Sequence, residues 1–225
     1  MSIIQINNLH KTYTDTKVPV KAVNGISLSI EEGEFTAIVG PSGSGKTTFL
    51  NLMGGLDTPT EGDILIGGKN IKDLNSRQLI DFRLHHIGFV FQSYNLIPVL
   101  TAIENVAFIM ELQGIPKKER HQIAMELLKK TGLEGKENYR PGELSGGQQQ
   151  RVSVARALAS KPKFILADEP TANLDSASTE DLLNMMSELN KTENMTFIFS
   201  THDKRVMDKA RRIVTIDDGK VVSDF

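Results

Sequence analysis

The stretch GPSGSGKT, Gly40 to Thr47, has the residue types and spacing to hold a phosphate. It fits G-x-x-x-x-G-K-[ST], follows an apolar run, FTAIV, and precedes a helical one, TTFLNLMGG, which is the context the motif requires. Glycines free the backbone N–H groups to turn inward, and a helix start adds roughly half a positive charge. The candidate nucleotide contacts are therefore Gly40, Pro41, Ser42, Gly43, Ser44, Gly45, Lys46, Thr47 and Thr48. Lys46 has the reach for β- and γ-phosphates, and Thr47 offers a hydroxyl to Mg2+.

Such a loop needs a carboxylate from the end of a second apolar strand. FILADE supplies Asp168, placed to hold Mg2+ through water, and Glu169 directly after it. Glu169 is the candidate general base for water attacking a γ-phosphate, a role worth about 10²–10⁴-fold when the base is well positioned. A guanine reader, N-K-x-D, is missing: NKTE at Asn190–Glu193 ends in glutamate, at a polar helix exit.

A second glycine motif, LSGGQQQR, runs from Leu144 to Arg151, with Ser145 lying 99 residues after Lys46. Ser145 and Gln148 make the S-x-x-Q of a capping box ahead of QQQRVSVARALA. Gly146 and Gly147 then occupy the first helical positions, where each costs about 1 kcal/mol against alanine. Removing both β-carbons bares the N–H groups of the first turn, so an anion-binding helix start is read on top of the cap. Gln148–Gln150 are read as a helix face, with Arg151 and Arg156 structural or interfacial. His85 and His86 lack metal-ligand spacing and read as a solvated pair at a helix end.

The elements that position these groups follow from periodicity. Strand candidates are IIQINNL, ISLSI, FTAIVG, DILIGG, IGFVFQ, KFILADE, MTFIFST and RIVTIDDGKVV, the last with a DDG hairpin signal. The first few sit close together across turns such as EEGE, too short for helical crossovers, so an antiparallel piece is expected ahead of a parallel core. TAIENVAFIMEL, KKERHQIAMELLKKTGL and GGQQQRVSVARALAS carry helical spacing and read as an inserted lobe. The expectation is one α/β domain over 1–225: a mostly parallel core with an antiparallel subdomain at 1–92 and 162–225, and a helical lobe at 93–161.

Lys and Arg total 26 against 28 Asp and Glu, with no block of like charge, which argues against a nucleic-acid partner. There is no cysteine, which excludes disulfides, thiol catalysis and cysteine metal sites. The start, MSIIQINNLHKTY, lacks the basic and apolar regions of a signal peptide, and no apolar run approaches the ~20 residues that cross a bilayer. A soluble, cytoplasmic chain is expected, one that must borrow any membrane part from another polypeptide.

These motifs together resemble the nucleotide-binding subunit of ABC transporters, a family of P-loop NTPases, over nearly the whole chain. LSGGQ matches the family's signature, and Tyr13 in LHKTY matches the aromatic that stacks on adenine. Gln92, closing IGFVFQ, matches the Q-loop glutamine, implied to be catalytic and a metal ligand. Asp175 in NLDS matches the D-loop, and His202 in FSTHD the switch histidine near the γ-phosphate. One departure is Ala172, where many relatives have glycine, and it is expected to be tolerated. The resemblance implies ATP and Mg2+ as cofactors, ATP hydrolysis coupled to transport, and a homodimer packed head to tail. In that dimer each signature loop closes on the ATP of the other subunit, so Ser145, Gly146, Gly147, Gln148 and Asp175 join the site.

The resemblance further implies an integral membrane permease as partner and a position on the inner face of the cell membrane, with Ser93–Val106 as the permease contact. NLMGGLDTPTEGDI and GFVFQSYNLIPVLTAIENV look most like the lipoprotein-release and macrolide-efflux (LolD/MacB-like) group. Relatives in DNA repair carry long coiled coils for which the 99 residues leave no room, and translation-type relatives pair two cassettes in one chain. A cell-division regulator whose permease-like partner transports nothing is the alternative.

Overall fold

The computed structural model describes residues 2–14 and 18–225. Its first layer is antiparallel. Strands β1 (Ser2–Tyr13), β2 (Val20–Glu31), β4 (Glu61–Ile66) and β5 (Lys69–Asn70) form a sheet in the order β2-β1-β4-β5. Alternating burial along β2 turns Ile26, Leu28 and Ile30 to the core and their neighbours outward, as a one-sided antiparallel sheet requires.

The second sheet holds β3 (Phe35–Val39), β6 (Ile87–Phe91), β7 (Phe164–Asp168), β8 (Thr196–Ser200), β9 (Arg212–Asp217) and β10 (Lys220–Asp224), in the order β10-β9-β3-β8-β7-β6. Strands β9, β3, β8, β7 and β6 are parallel, and β10 closes the edge as a hairpin. β3 and β8 are buried at every position, the signature of strands covered on both faces. The expected hairpin turn falls on Asp218 and Gly219, both at positive φ (45° and 72°), which suits the right-handed twist of its strands.

The expected fold class is the one observed, with two corrections of detail. EEGE does not join neighbours of one sheet; it carries the chain from β2 of the first sheet into β3 of the second. The antiparallel layer also does not simply precede the parallel one, because β3 and α1 (Lys46–Met53) lie between β2 and β4. The short β5 and helix α2 (Ser76–His86) escaped the periodicity reading; α2 buries only Phe82, too little to draw an apolar stripe.

Three helices occupy the middle of the chain: α3 (Ala102–Leu112), α4 (Lys117–Lys130) and α5 (Gly146–Ala159). They share a core of Val106, Met110, Leu128, Leu144 and Val152. Capping boxes start α3 at Thr101–Glu104 and α5 at Ser145–Gln148. Helix α6 (Ser176–Glu193) packs beside α5 on the face of the parallel sheet away from α1, through Leu182, Leu183 and Met186 against Phe35, Phe197 and Phe199. A short α7 (Lys204–Lys209) leads into β9. Among the described residues no helix is long and apolar enough to cross a membrane.

Candidate nucleotide site

Register explains why motifs far apart in the chain meet. Phe91 pairs with Asp168, Asp168 with Ser200, and Ser200 with Ile38, one row across four parallel strands. The residues leaving those strands are Gln92, Glu169, Thr201 and, one place further along β3, Gly40, so four loops open at one edge of the sheet. That is the edge where parallel α/β sheets hold ligands. A cavity of about 950 Å³ lies there, lined by Tyr13, the phosphate loop, Thr47, Thr48, Gln92, Glu169 and His202.

The loop between β3 and α1 keeps its shape through glycines. Gly40, Gly43 and Gly45 have φ of 149°, 80° and 102°, and a Cβ on Gly45 would run into the Ala22 carbonyl. At Gly43 nothing lies within 4 Å of such an atom, so the backbone there faces open space. Lys46 is buried, and its ammonium donates to the carbonyls of Gly40 and Pro41, each at 2.9 Å. Within the loop the Ser44 hydroxyl is buried, with no hydrogen-bond partner among the described residues.

The carboxylates sit across from it. Thr47 Oγ1 donates to Asp168 Oδ1 at 3.1 Å. Burial pushes the Asp168 carboxyl above its usual range, with Glu169 adding to the rise and Lys46 opposing it. A cation would relieve that cost. A hydroxyl and a carboxylate side by side are hard oxygen donors of the kind Mg2+ takes, so these residues fit the ion.

Glu169 has φ 46°, a left-handed conformation that costs a residue with a side chain free energy. Its N–H donates to the Ser200 carbonyl at 2.9 Å, which holds the turn in place. Glu169 Oε1 lies 2.7 Å from His202 Nδ1, and Thr201 Oγ1 donates to Oε2 at 3.4 Å. A carboxylate oxygen only accepts, so Nδ1 carries the proton and Nε2 faces away from this bond.

Tyr13 lines the mouth of the cavity, its hydroxyl donating to Asp57 Oδ2 at 2.8 Å and its ring 4.9 Å from Lys11 Nζ. Burial, then the neighbouring Asp57, pushes the phenol up. Ala172 also lines the cavity at negative φ, so its methyl causes no backbone strain. Sequence reasoning missed Lys21, Ala22 and Asn24 of β2 and the tip of the last hairpin. They belong here because Gly219 N–H donates to Ser44 and Asn24 N–H to Gly219.

Ser145, Gly146, Gly147, Gln148 and Asp175 are not among the residues lining this cavity. The capping box is present: Ser145 Oγ accepts from Gln148 N–H at 3.3 Å and Gln148 Oε1 from Ser145 N–H at 3.0 Å. Asp175 caps α6, accepting from Ser178 N–H at 2.9 Å, and that bond holds its carboxyl low. The two glycines have a packing cause that the sequence did not reveal. A Cβ on Gly146 would lie 2.8 Å from the Tyr94 hydroxyl, and one on Gly147 would lie 2.9 Å from Ser178 Cβ. Gly147→Ala is therefore expected to destabilise the fold by about 1–3 kcal/mol through overpacking of α5 on α6, read as a lower melting temperature.

Arg156 is structural, as expected, binding the carbonyls of Tyr94 and Asn95, whereas Gln150, expected on a helix face, also binds loop backbone. Gln150 is fully buried and its Nε2 donates to the carbonyls of Phe91 (3.3 Å) and Pro170 (2.9 Å), one before Gln92 and one after Glu169. His86 is not simply solvated: it stacks on Phe82 with centroids 4.3 Å apart.

A glycine loop with lysine and threonine after one parallel strand, faced by paired carboxylates from another, defines a P-loop nucleoside triphosphatase. The ABC transporter family model matches residues 23–172, and the chain belongs to that family. The macrolide export ATP-binding/permease protein MacB of Mannheimia succiniciproducens is 49% identical over all of this chain, which spans 35% of that relative's length. An uncharacterized ABC transporter ATP-binding protein of Thermotoga maritima is 46% identical, across 97% of this chain and 93% of its own. Among solved structures, the dimeric post-hydrolysis state of the ATP-binding cassette MJ0796 bound to ADP and Pi is 43% identical. It superposes with TM-score 0.90 over 99% of this chain and 97% of that one. The chain is thus an ATP-binding and hydrolysing subunit of the ABC family, with MacB-like cassettes as relatives. Such domains use ATP with Mg2+, dimerise and work with membrane permeases.

Proposed function

We propose that this chain hydrolyses ATP in a head-to-tail homodimer and so drives a membrane permease that handles an efflux or lipoprotein-type substrate. The observation that carries this reading is the separation of two half-sites. Lys46, Thr47, Glu169 and His202 share one cavity, while the signature at Ser145 stands outside it. A second copy supplies the missing half, in line with the dimeric form of the MJ0796 relative.

In this reading the adenine packs on Tyr13, and the phosphates take the open cradle at Gly43. The Lys46 ammonium leaves two carbonyls for the β- and γ-phosphate oxygens. Thr47 and Asp168, with Gln92, would hold Mg2+, which would stabilise the negative charge of the phosphates. Glu169 accepts the proton of the attacking water, and His202 keeps that carboxylate in place and contacts the γ-phosphate. The products are ADP and phosphate, and the loss of shared charge lets the two subunits part.

The permease reading has its own support. A mostly apolar groove of about 570 Å³ is lined by α2, β6, α3 and α5, with Leu56, Ile80 and Leu112 exposed in it. Arg83 and Arg156 flank it, no acidic residue is among its lining, and their guanidinium groups meet only backbone carbonyls among the described residues. A permease segment with apolar side chains and a carboxylate fits such a surface. Of the expected contact Ser93–Val106, only Asn95 lines the groove; α2 and β6 supply about half of the lining.

Ile80→Asp is expected to cut recovery of the membrane partner at least about tenfold in affinity purification, leaving Tm and ATP binding unchanged. Equal recovery would place the permease elsewhere. Identifying that partner by mass spectrometry tests the substrate class. A permease with a large extracytoplasmic domain, whose depletion halts lipoprotein release or efflux, supports the reading. A septation defect supports the cell-division alternative.

A further inference from the structure

The loop after Gln92 carries a contact that none of the roles above uses. Tyr94 and Asn95 are consecutive non-glycine residues at positive φ, 57° and 50°. Helix α5 holds them there: Arg156 Nη2 donates to the Tyr94 carbonyl at 2.9 Å and Nη1 to the Asn95 carbonyl at 2.6 Å. From this pinned backbone the Tyr94 side chain reaches the start of α5, where its hydroxyl occupies the space a Gly146 side chain would need. The same hydroxyl donates to the Asn173 carbonyl at 3.4 Å, and Asn173 Nδ2 donates back to the Gln92 carbonyl at 3.0 Å. One phenol of the Gln92 loop thus meets two segments, the signature start and the turn that follows Glu169, and Asn173 of that turn bonds back to Gln92.

We infer that Tyr94 is a positioning residue that sets the signature start against the Gln92 loop, its hydroxyl taking the space that a side chain at 146 would enter. The inference rests on the composite-site reading, in which both segments face γ-phosphates. A methyl group at 146 must push the phenol off Asn173 or displace the first turn of α5. Displacements of about 1 Å at reacting groups cost as much as 10²-fold in rate.

The test is a double-mutant cycle of Tyr94→Phe, Gly146→Ala and the pair, with kcat and KM for ATP and the melting temperature of each. Gly146→Ala is expected to lose about 10- to 100-fold in kcat with KM within about twofold. Tyr94→Phe keeps the ring but loses the oxygen and its bond to Asn173. It is expected to lower kcat about three- to tenfold with KM and melting temperature unchanged, and parent-level kcat overturns the positioning role. The pair returns to the kcat of Tyr94→Phe, because the added methyl takes the space the oxygen left.

An unrescued pair, or a Gly146→Ala enzyme with full kcat, overturns the inference. Should Gly146→Ala fold poorly, recovery of the melting temperature in the pair supports the contact and no recovery overturns it. The parent reading is checked separately by ATP-dependent dimerisation of Glu169→Gln. A dimer there, with no coupling in the cycle, counts against Tyr94 alone, whereas no dimer counts against the composite site.

Discussion

Glu169→Gln is expected to bind Mg2+-ATP as the parent does, to hydrolyse it about 10²–10⁴-fold more slowly, and to accumulate as a dimer. Glutamine has the same shape, takes the same left-handed backbone at no extra cost, and its Oε1 still accepts from His202 Nδ1. What it lacks is an oxygen able to keep a proton taken from water. The substitution also removes a negative charge that pushes the neighbouring Asp168 carboxyl up. Asp168 then ionises more readily. Phosphate release and size-exclusion chromatography with and without ATP give the answer. Parent-level turnover would remove Glu169 from its role, and a monomer at every ATP concentration would count against the trapped dimer.

Mixing two inactive variants is expected to restore activity. Lys46→Ala alone should bind ATP about 10- to 100-fold more weakly, since a charge-assisted contact to phosphate is lost. Ser145→Arg alone should bind ATP but not complete the site. In a mixed dimer one site gathers both lesions and the other has an intact phosphate loop facing an intact signature. Random exchange of equal amounts places half the dimers in the mixed form, for about a quarter of parent activity if each site works independently. Demonstrated mixed dimers that stay inactive would sink the shared site together with the independence of its two halves. Undiminished ATP binding by Lys46→Ala would separately contradict the phosphate-loop role.

The parts of this site that can be read from the chain are those whose cause is local. The phosphate loop was legible because glycines at Gly43 and Gly45 mark positive φ and the lysine follows at fixed spacing. FILADE was legible as an apolar strand ending in two carboxylates, and Asp218–Gly219 as a two-residue turn. Ser145 and Gln148 declared their capping box for the same reason.

What stayed hidden depends on partners far along the chain. The glycine pair at Gly146 and Gly147 was explained by bared N–H groups, yet Tyr94 and Ser178 fill the missing side-chain space. Gln150 looked like one more polar helix residue, although it is buried and binds two loops at once. Helix α2 lines part of the groove, but with Phe82 as its lone buried residue it carries too weak an apolar pattern to announce itself. The passage of EEGE between two sheets likewise follows from pairing partners and leaves no mark in the turn.

The row of Phe91, Asp168, Ser200 and Ile38 governs how this chain can change length over generations. Strand pairing aligns the loops that line the cavity, so residues gained or lost in the connections between strands leave the row in place. One residue inserted within β7 would carry Asp168 along by about 3.3 Å and turn its side chain to the opposite face. Inherited insertions and deletions should therefore gather in the connections and be purged from the five-residue strands, which act as fixed graduations on an otherwise elastic rule.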